Sequence, residues 1–260
     1  MNKFTLCGII LVITLTGCSN SFYQKKADGI IVQVMSDTPD GAKNIRLQVV
    51  NEKIIRVTAT ADKKFSSIKS LMVVPQTKPK TKFDVEEKDD RIILMTDSLQ
   101  VSILKKTGEI SFLNKRGEVI LQETAGGGKS FKPIEVEGTK GYTVRQVFDS
   151  PDNEAFYGLG QHQADEFNYK GKNESLFQYN TKVSVPFVVS GKNYGILWDN
   201  YSLSKFGDSR EYAQLDQFKL YDAGGKPGGL TAVYSKKDNS AAPITRIEPI
   251  LNYENLSLIK

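Results

Sequence analysis

Hydrophobic and polar residues alternate with a period of two along most of the chain. The alternation is clearest at positions 45/47/49, 99/101/103 and 142/144/148. Such a period places one face of a β-strand on a hydrophobic core and the other face in water. Turn-forming pairs such as Asp40-Gly41 and Gly224-Gly225 separate the segments, and no long segment has a helical period. The pattern predicts an all-β fold, a large antiparallel β-sandwich.

The first eighteen residues have a different pattern. Lys3 precedes an apolar run over residues 4–15, which leads into Gly17 and Cys18. The run is too short for a membrane-spanning helix of about 20 residues and has the length of a signal-peptide core. Residues 15–18 (LTGC) resemble a bacterial lipobox, which implies cleavage before Cys18 and lipidation of its sulfur. The alternative is an ordinary signal peptide with a chance cysteine.

These features predict a lipoprotein signal peptide over residues 1–17 and a polar tether over residues 18–27. Because Ser19 is not an aspartate, retention in the inner membrane is not signalled. We therefore expect an exported protein, bound to the membrane through a lipid on Cys18, on the periplasmic side of the outer membrane.

Composition and charge exclude several classes of protein. The 260 residues include 35 Lys+Arg and 30 Asp+Glu, and 39% are hydrophobic. Mean hydropathy is −0.34. This excludes a disordered chain and a polytopic membrane protein. The lysines are scattered, which argues against nucleic-acid binding. With Cys7 removed, Cys18 lipidated and His162 the single histidine, we expect no disulfide, no metal site and no cofactor.

Two glycine motifs resemble nucleotide-binding loops but lack essential parts. Residues 126–130 (GGGKS) lack the earlier glycine of a phosphate-binding loop, since Glu123 stands at that position. Pro133 follows closely, where a helix would have to begin. Residues 158–160 (GLG) are a fragment of a dinucleotide fingerprint. We expect a flexible loop at the first motif and no nucleotide site at either.

The stretch from 156 to 208 concentrates glycine, amide side chains and aromatic residues. Amides and carboxylates offer paired donors and acceptors to sugar hydroxyls, and aromatic faces pack against sugar C–H groups. The same composition also suits sandwich core and turns, and both interpretations stay open on composition alone. The segments concerned are 156–163, 167–171, 177–181, 183–190, 194–200 and 206–208.

Four of these segments, in this order, resemble the N-terminal domain of glycoside hydrolase family 31, in its lipid-anchored α-xylosidase/α-glucosidase branch. They are 156–161 (FYGLGQ), 178–181 (QYNT), 184–190 (SVPFVVS) and 194–200 (YGILWDN). The resemblance covers about residues 28–221 and implies a galactose-mutarotase-like β-sandwich there. Residues 229–234 (GLTAVY) further resemble the opening strand of a protective-antigen-like insert. We therefore expect residues 222–260 to be a linker or the start of such an insert, truncated.

The resemblance implies a retaining glycosidase, in which two carboxylates about 5–5.5 Å apart act as nucleophile and acid/base. In the family both lie on a (β/α)₈ barrel, which takes roughly 250 residues. The family's nucleophile motif contains Asp-Met-Asn, and no methionine of this chain follows an aspartate. We therefore expect that the chain is truncated before the catalytic barrel, contains no catalytic residue and is inactive alone.

The resemblance also implies a substrate-side loop that borders the sugar site. Tyr179-Asn180 stands where some relatives have Arg-Asp, so Asn180 is the first candidate for substrate binding, followed by Gln161 and His162. For each of them a purely structural role is the alternative. The sandwich face near residues 187–198 is implied to pack on the barrel and would be an exposed apolar patch without it.

Two functions remain open at this point. The first is the N-terminal, non-catalytic part of a retaining α-glycosidase, an α-xylosidase acting on xyloglucan-type oligosaccharides, whose sandwich shapes the substrate entrance. The second is a stand-alone, membrane-tethered carbohydrate-binding or vestigial β-sandwich without catalysis. Both have a carbohydrate and, through the lipid, a membrane as partners.

Overall fold

The computed structural model describes residues 21–35, 38–74, 81–163, 167–207, 219–236, 240 and 242–248. Across these ranges the regular elements are all β-strands, as predicted, with no helix. The strands are β1 (Tyr23–Lys26), β2 (Gly29–Gln33), β3 (Asn44–Asn51), β4 (Ile54–Thr60), β5 (Asp84–Glu87), β6 (Arg91–Met95), β7 (Leu99–Leu104), β8 (Ile110–Asn114), β9 (Val119–Gln122), β10 (Lys129–Val136), β11 (Thr139–Gln146), β12 (Phe156–Gln161), β13 (Glu174–Leu176), β14 (Val183–Ser190), β15 (Gly195–Leu197), β16 (Ser204–Phe206), β17 (Leu230–Tyr234) and β18 (Ile244–Glu248).

Two antiparallel sheets enclose the main core. One has the order β1-β2-β3-β4 and the other the order β5-β6-β7-β8-β9. Alternate residues of the central strands point inward from both sheets and form one buried cluster, which confirms the predicted sandwich. Its fully buried members include Ile30, Val32, Ile45, Leu47, Ile92, Leu94, Val101, Ile103 and Ile110.

The period-two pattern identified this core correctly but also marked a hairpin that stays largely outside it. Ile45 and Leu47 are completely buried, whereas Tyr142 and Val144 of β11 are 40% and 39% exposed. Strands β10 and β11 form a separate two-stranded sheet, and most side chains of this hairpin stay exposed. Phe131 of β10 alone joins the core cluster from this hairpin.

The glycine motif at 126–128 forms a tight turn ahead of β10. A Cβ on Gly127 would lie 2.6 Å from the carbonyl oxygen of Thr107, so the turn requires glycine there. The following lysine, Lys129, donates its ammonium protons to both carboxylate oxygens of Glu123 and to the carbonyl oxygen of Gly108 at 3.2 Å. The side chain that would contact phosphate in a nucleotide loop is thus held inside the sandwich.

The later residues of the predicted tether pair with the sandwich. Residues 23–26 form β1, which pairs antiparallel with Gly29–Val32, and Tyr23 packs against the core cluster. Backbone pairing brings this polar segment into the sheet, although its sequence lacks the alternation of apolar and polar residues that predicts a strand. Residues 1–20, with the predicted signal peptide and Cys18, lie outside the described residues. Within the described ranges no helix has the length and hydropathy needed to span a membrane.

The chain divides into two compact units. The first comprises Met1–Lys170 with Leu176–Ser204, and the second comprises Gly171–Ser175 with Lys205–Lys260. Inside the second unit, Gly207 approaches the backbone of residues 172–173 so closely that a Cβ would clash, which ties the two segments of that unit together.

Candidate functional site

A third antiparallel sheet, β12-β14-β15, belongs to the first unit and positions the candidate residues. Gln161 ends β12, His162 follows it, and Asn180 lies in the turn before β14. The first strand of the sheet has a bulge between Gly158 and Gly160, and all three residues 158–160 have positive φ angles of 112°, 64° and 102°. A Cβ on Gly158 would lie 2.6 Å from the carbonyl oxygen of Phe187, and one on Gly160 would clash with that of Val183. The glycines therefore serve close strand pairing, while Leu159 between them is buried.

The bulge sets the register in which the candidate polar residues meet. Gln161 ends β12 opposite Val183, the first residue of β14. The preceding turn is closed by a bond from the Lys182 amide to the Tyr179 carbonyl oxygen at 2.8 Å. Asn180 occupies the turn with a φ of 44° and is exposed. Sheet pairing thus places Gln161 beside the strand that leaves the Asn180 turn.

A side-chain contact joins the two segments as well. The Gln163 amide donates a hydrogen bond to the Thr181 hydroxyl, next to Asn180 in the turn. Gln163 and Thr181 were not among the predicted site residues, although both lie in the amide-rich stretch. The turn and the segment after β12 therefore present neutral amide and hydroxyl groups, a set that can donate to and accept from sugar hydroxyls.

His162 occupies a more enclosed position than Gln161 and Asn180. Its Nε2 lies 2.8 Å from the Leu159 carbonyl oxygen, and its ring meets Tyr169 edge-on at 6.2 Å between centroids. Tyr169 is 6% exposed. These contacts favour the structural alternative, in which His162 fixes the backbone of the bulge.

An aromatic pair beside the turn was missed as a site feature. The rings of Phe177 and Tyr179 lie 5.3 Å apart at 32° to each other. Both side chains remain more than half exposed, at 54% and 56%. The sequence did contain a signal for this pair, because Phe177 and Tyr179 are two positions apart and Tyr179 directly precedes Asn180. Exposed aromatic rings next to neutral amides form a surface of the kind that sugars bind.

A buried carboxylate holds the other end of this sheet. Glu154 is 3% exposed and accepts hydrogen bonds of 2.5 Å from the hydroxyls of Ser190 and Tyr194. Burial, followed by the bond to Glu154, raises the pKa of Tyr194 well above its ordinary value, so the phenol stays protonated. The network ties the segment before β12 to the turn between β14 and β15.

The buried acids of the described residues serve internal contacts. Glu123 bonds the Ile110 amide and Lys129, and Glu154 bonds two hydroxyls. Among the residues that the structure describes, no group of three or more His, Cys, Asp or Glu side chains could hold a metal ion.

Strand β14 has an apolar outer face. Its inward side chains include Val188 and Ser190, which are buried, whereas four outward ones are 40–44% exposed. Leu197 of β15 pairs with Phe187 on the same face and is 45% exposed. The opposite face carries Ser184, Pro186, Val188 and Ser190, so the apolar side chains of β14 are concentrated on its more exposed face. The outward residues of β14 are Val183, Val185, Phe187 and Val189.

Comparison with known proteins identifies the family. The sequence model of the glycosyl hydrolase 31 N-terminal galactose mutarotase-like domain matches residues 44–206. The α-xylosidase of Saccharolobus solfataricus is 30% identical over 204 residues, which are 75% of this chain and 26% of that protein.

Solved structures agree. The family 31 α-xylosidase of Xanthomonas citri superposes with a TM-score of 0.71 at 43% identity, covering 90% of this chain and 25% of that one. A family 31 α-xylosidase from a soil metagenome, solved in complex with xylose, superposes with a TM-score of 0.58 at 26% identity, covering 71% and 29%.

The chain thus spans about a quarter of the length of these relatives. The matched region contains β3 through β16, including the third sheet and the Asn180 turn. The chain therefore belongs to glycoside hydrolase family 31, as a member of its N-terminal galactose mutarotase-like domain.

Proposed function

We propose that this chain is the N-terminal, non-catalytic part of a retaining α-glycosidase that removes α-linked xylose from xyloglucan-type oligosaccharides. In this proposal the turn at residues 179–182 borders the substrate entrance, while a barrel elsewhere in the protein supplies the two carboxylates. The Phe177–Tyr179 ring pair offers a stacking face, and Asn180 offers hydrogen bonds at its edge. The observation that supports this best is the exposed aromatic pair beside neutral amides, within a domain whose relatives are named α-xylosidases.

We further propose that the protein is exported and anchored by a lipid on Cys18, on the periplasmic side of the outer membrane. The support is the sequence of residues 1–18, with its basic start, apolar run and terminal Gly-Cys. Growth with labelled palmitate tests this: label should enter the wild-type protein and be absent from the Cys18→Ala variant. Equal labelling of both proteins would contradict the anchor.

The activity is tested on the complete protein that contains this chain. It should release nitrophenol from nitrophenyl α-xyloside faster than from nitrophenyl α-glucoside. The 260 residues alone should give no release above the buffer rate, because no methionine of this chain follows an aspartate and the family's nucleophile motif is therefore missing from it. Turnover by the isolated chain would overturn the non-catalytic assignment. Sugar binding by an intact protein that lacks any hydrolase activity would favour the stand-alone carbohydrate-binding alternative.

We expect Tyr179→Ala in the complete protein to raise KM for xyloglucan oligosaccharides several-fold with a smaller change in kcat. Loss of a stacking ring weakens ground-state binding of the substrate, and a contact of about 1 kcal/mol, the size found for pairs of aromatic rings, corresponds to a several-fold change in KM. Tyr142→Ala is the matched control, since Tyr142 is also partly exposed but lies on the separate β10–β11 hairpin. Steady-state kinetics of both variants make the comparison. An unchanged KM in Tyr179→Ala would remove this turn from the substrate entrance.

The apolar face of β14 predicts self-association of the isolated chain. Exposed contiguous apolar surface favours association in water. We expect the double variant Val185→Ser with Phe187→Ser to shift the isolated chain from oligomer towards monomer in sedimentation velocity. Val119→Ser is the control, because Val119 is 55% exposed on another sheet. A monomeric wild-type chain would show that this face needs no cover.

A further inference from the structure

The residues that follow the predicted lipidation site are fastened to one end of the sandwich. The Ser21 hydroxyl donates a hydrogen bond of 3.0 Å to Glu87, at the end of β5. The Phe22 carbonyl oxygen accepts a 3.0 Å bond from the Gln33 amide, which extends the β1–β2 pairing to this residue. Residues 21 and 22 are thus attached to the sandwich, and a chain from Cys18 joins it no later than Ser21.

A buried lysine is the centre of this attachment. Lys105 is 5% exposed, and its ammonium group lies 2.8 Å from a Glu87 carboxylate oxygen and 2.7 Å from the Lys88 carbonyl oxygen. The same ammonium lies 5.0 Å from the centre of the Phe22 ring. Through Glu87 it thereby holds Ser21 as well as Phe22. Its hydrogen bond to Glu87 lowers the pKa of that carboxyl, so the contact persists in mildly acidic solution.

The chain between the predicted lipidation site and the sandwich is short. Three residue steps separate Cys18 from Ser21, and an extended chain covers at most about 3.6 Å per residue, so the span is about 11 Å. A free tether reaching residue 27 would cover roughly three times that distance by the same rule. An acyl-modified Cys18 lies at the lipid headgroups, because its chains insert into the hydrocarbon. The end of the sandwich that holds Ser21 must then lie close to the headgroups.

We propose that this end of the first unit, formed by Phe22, Met35 and the turns at 88–90 and 105–108, is a fixed membrane-facing surface. The inference rests on the proposed lipid anchor at Cys18. Phe22 and Met35 are 37% and 47% exposed there, which suits contact with the headgroup region. Met35 is fixed by the bond from its amide to the Lys105 carbonyl oxygen at 2.9 Å.

The charges of this surface are balanced. Exposed Lys88 and Lys106 are accompanied by exposed Asp89 and Asp90. An anionic membrane therefore offers no large electrostatic gain over a neutral one. The short tether sets the orientation, and lipid charge should have little influence on it.

The strands define an opposite end for comparison. Strand β7 runs from Leu99 to Leu104, about 17 Å at roughly 3.3 Å per residue. At its far end the Thr96 hydroxyl donates a 2.6 Å bond to the Glu52 carbonyl oxygen, which places the β3–β4 turn with exposed Lys53 there. Lys53 and Lys106 thus mark opposite ends of the same sandwich.

The test uses the full lipidated chain in vesicles of phosphatidylethanolamine and phosphatidylglycerol that contain a nickel-chelating headgroup lipid. The sequence has two cysteines, Cys7 and Cys18, so Lys106→Cys or Lys53→Cys provides a single thiol for a nitroxide label after processing and lipidation. We expect nickel to relax the label at 106 several-fold more strongly than the label at 53. Replacing phosphatidylglycerol with phosphatidylcholine should leave this ratio unchanged.

A variant with a longer tether distinguishes a fixed orientation of the sandwich on the membrane from attachment to the membrane alone. A 20-residue Gly/Ser insert after Ser19 adds a flexible span of about 25 Å. It should bring the relaxation at 106 down towards that at 53 while the protein still floats with vesicles. Equal relaxation at both positions in the unmodified tether, with flotation retained, overturns the fixed surface alone. Loss of flotation by the wild-type chain overturns the lipid anchor together with it.

Discussion

Glu123→Gln should lower the free energy of unfolding of the sandwich unit by about 3 kcal/mol or more. Glu123 and Lys129 are 3% and 7% exposed at their side chains, and both carboxylate oxygens accept from the ammonium group. Removing one member of a buried ion pair costs about 3–5 kcal/mol, because the other charge stays buried without compensation. The glutamine offers the Lys129 ammonium one amide oxygen beside the Gly108 carbonyl oxygen, but no negative charge to compensate the buried positive one.

Urea unfolding at pH 8, followed by fluorescence of the single tryptophan, Trp198, measures the effect in the first unit. The matched control is Glu118→Gln, which breaks an exposed ion pair. The Glu118 side chain is 58% exposed and that of its partner Arg116 is 78% exposed. An exposed pair contributes at most about 1 kcal/mol. The double variant Glu123→Leu with Lys129→Met should recover most of the loss, because it buries no charge. Equal losses in the two glutamine variants would contradict the internal role of this pair.

The sandwich was predictable because its core strands follow a local rule. Ile45 and Leu47 alternate with polar residues, and the side-chain period of a strand is the same in every sheet. The exposure of Tyr142 and Val144 was not predictable in this way, since their alternation is equally good. Whether an apolar strand face finds a cover depends on a distant part of the chain.

The candidate site was predictable in composition and less so in arrangement. Asn180 and Gln161 were selected one by one, whereas their common location depends on the β12–β14 register. That register depends on a bulge, which a Gly-Leu-Gly sequence permits without specifying it. The partnership of Gln163 with Thr181 and the exposure of the Phe177–Tyr179 pair are likewise products of this long-range pairing.

We therefore expect Gly160→Ala to disrupt the site by breaking the pairing of β12 with β14. The free energy of unfolding should fall by about 3 kcal/mol or more. The residue has a φ of 102°, where an L side chain is strained, and the new methyl would clash with the Val183 carbonyl oxygen and lie 2.8 Å from the Val185 amide nitrogen. Both obstacles are backbone atoms, which a rotamer change cannot clear. Relief requires β12 to part from β14, and this separates Gln161 and Gln163 from the Asn180 turn.

Gly117→Ala distinguishes the two causes of this loss. Gly117 also has a positive φ, of 79°, but nothing lies within 4 Å of a Cβ built there, so its cost is the backbone strain of about 1–2 kcal/mol alone. The difference between the two urea-unfolding losses then measures the close strand approach. Hydrogen exchange should show faster amide exchange in β12 and β14 for Gly160→Ala only. The alternative outcome is an equal loss of stability in both variants with the amides of β14 still protected. It would mean that Gly160 is needed only for its positive φ angle. The Asn180 turn would then keep its position without the close pairing of these strands.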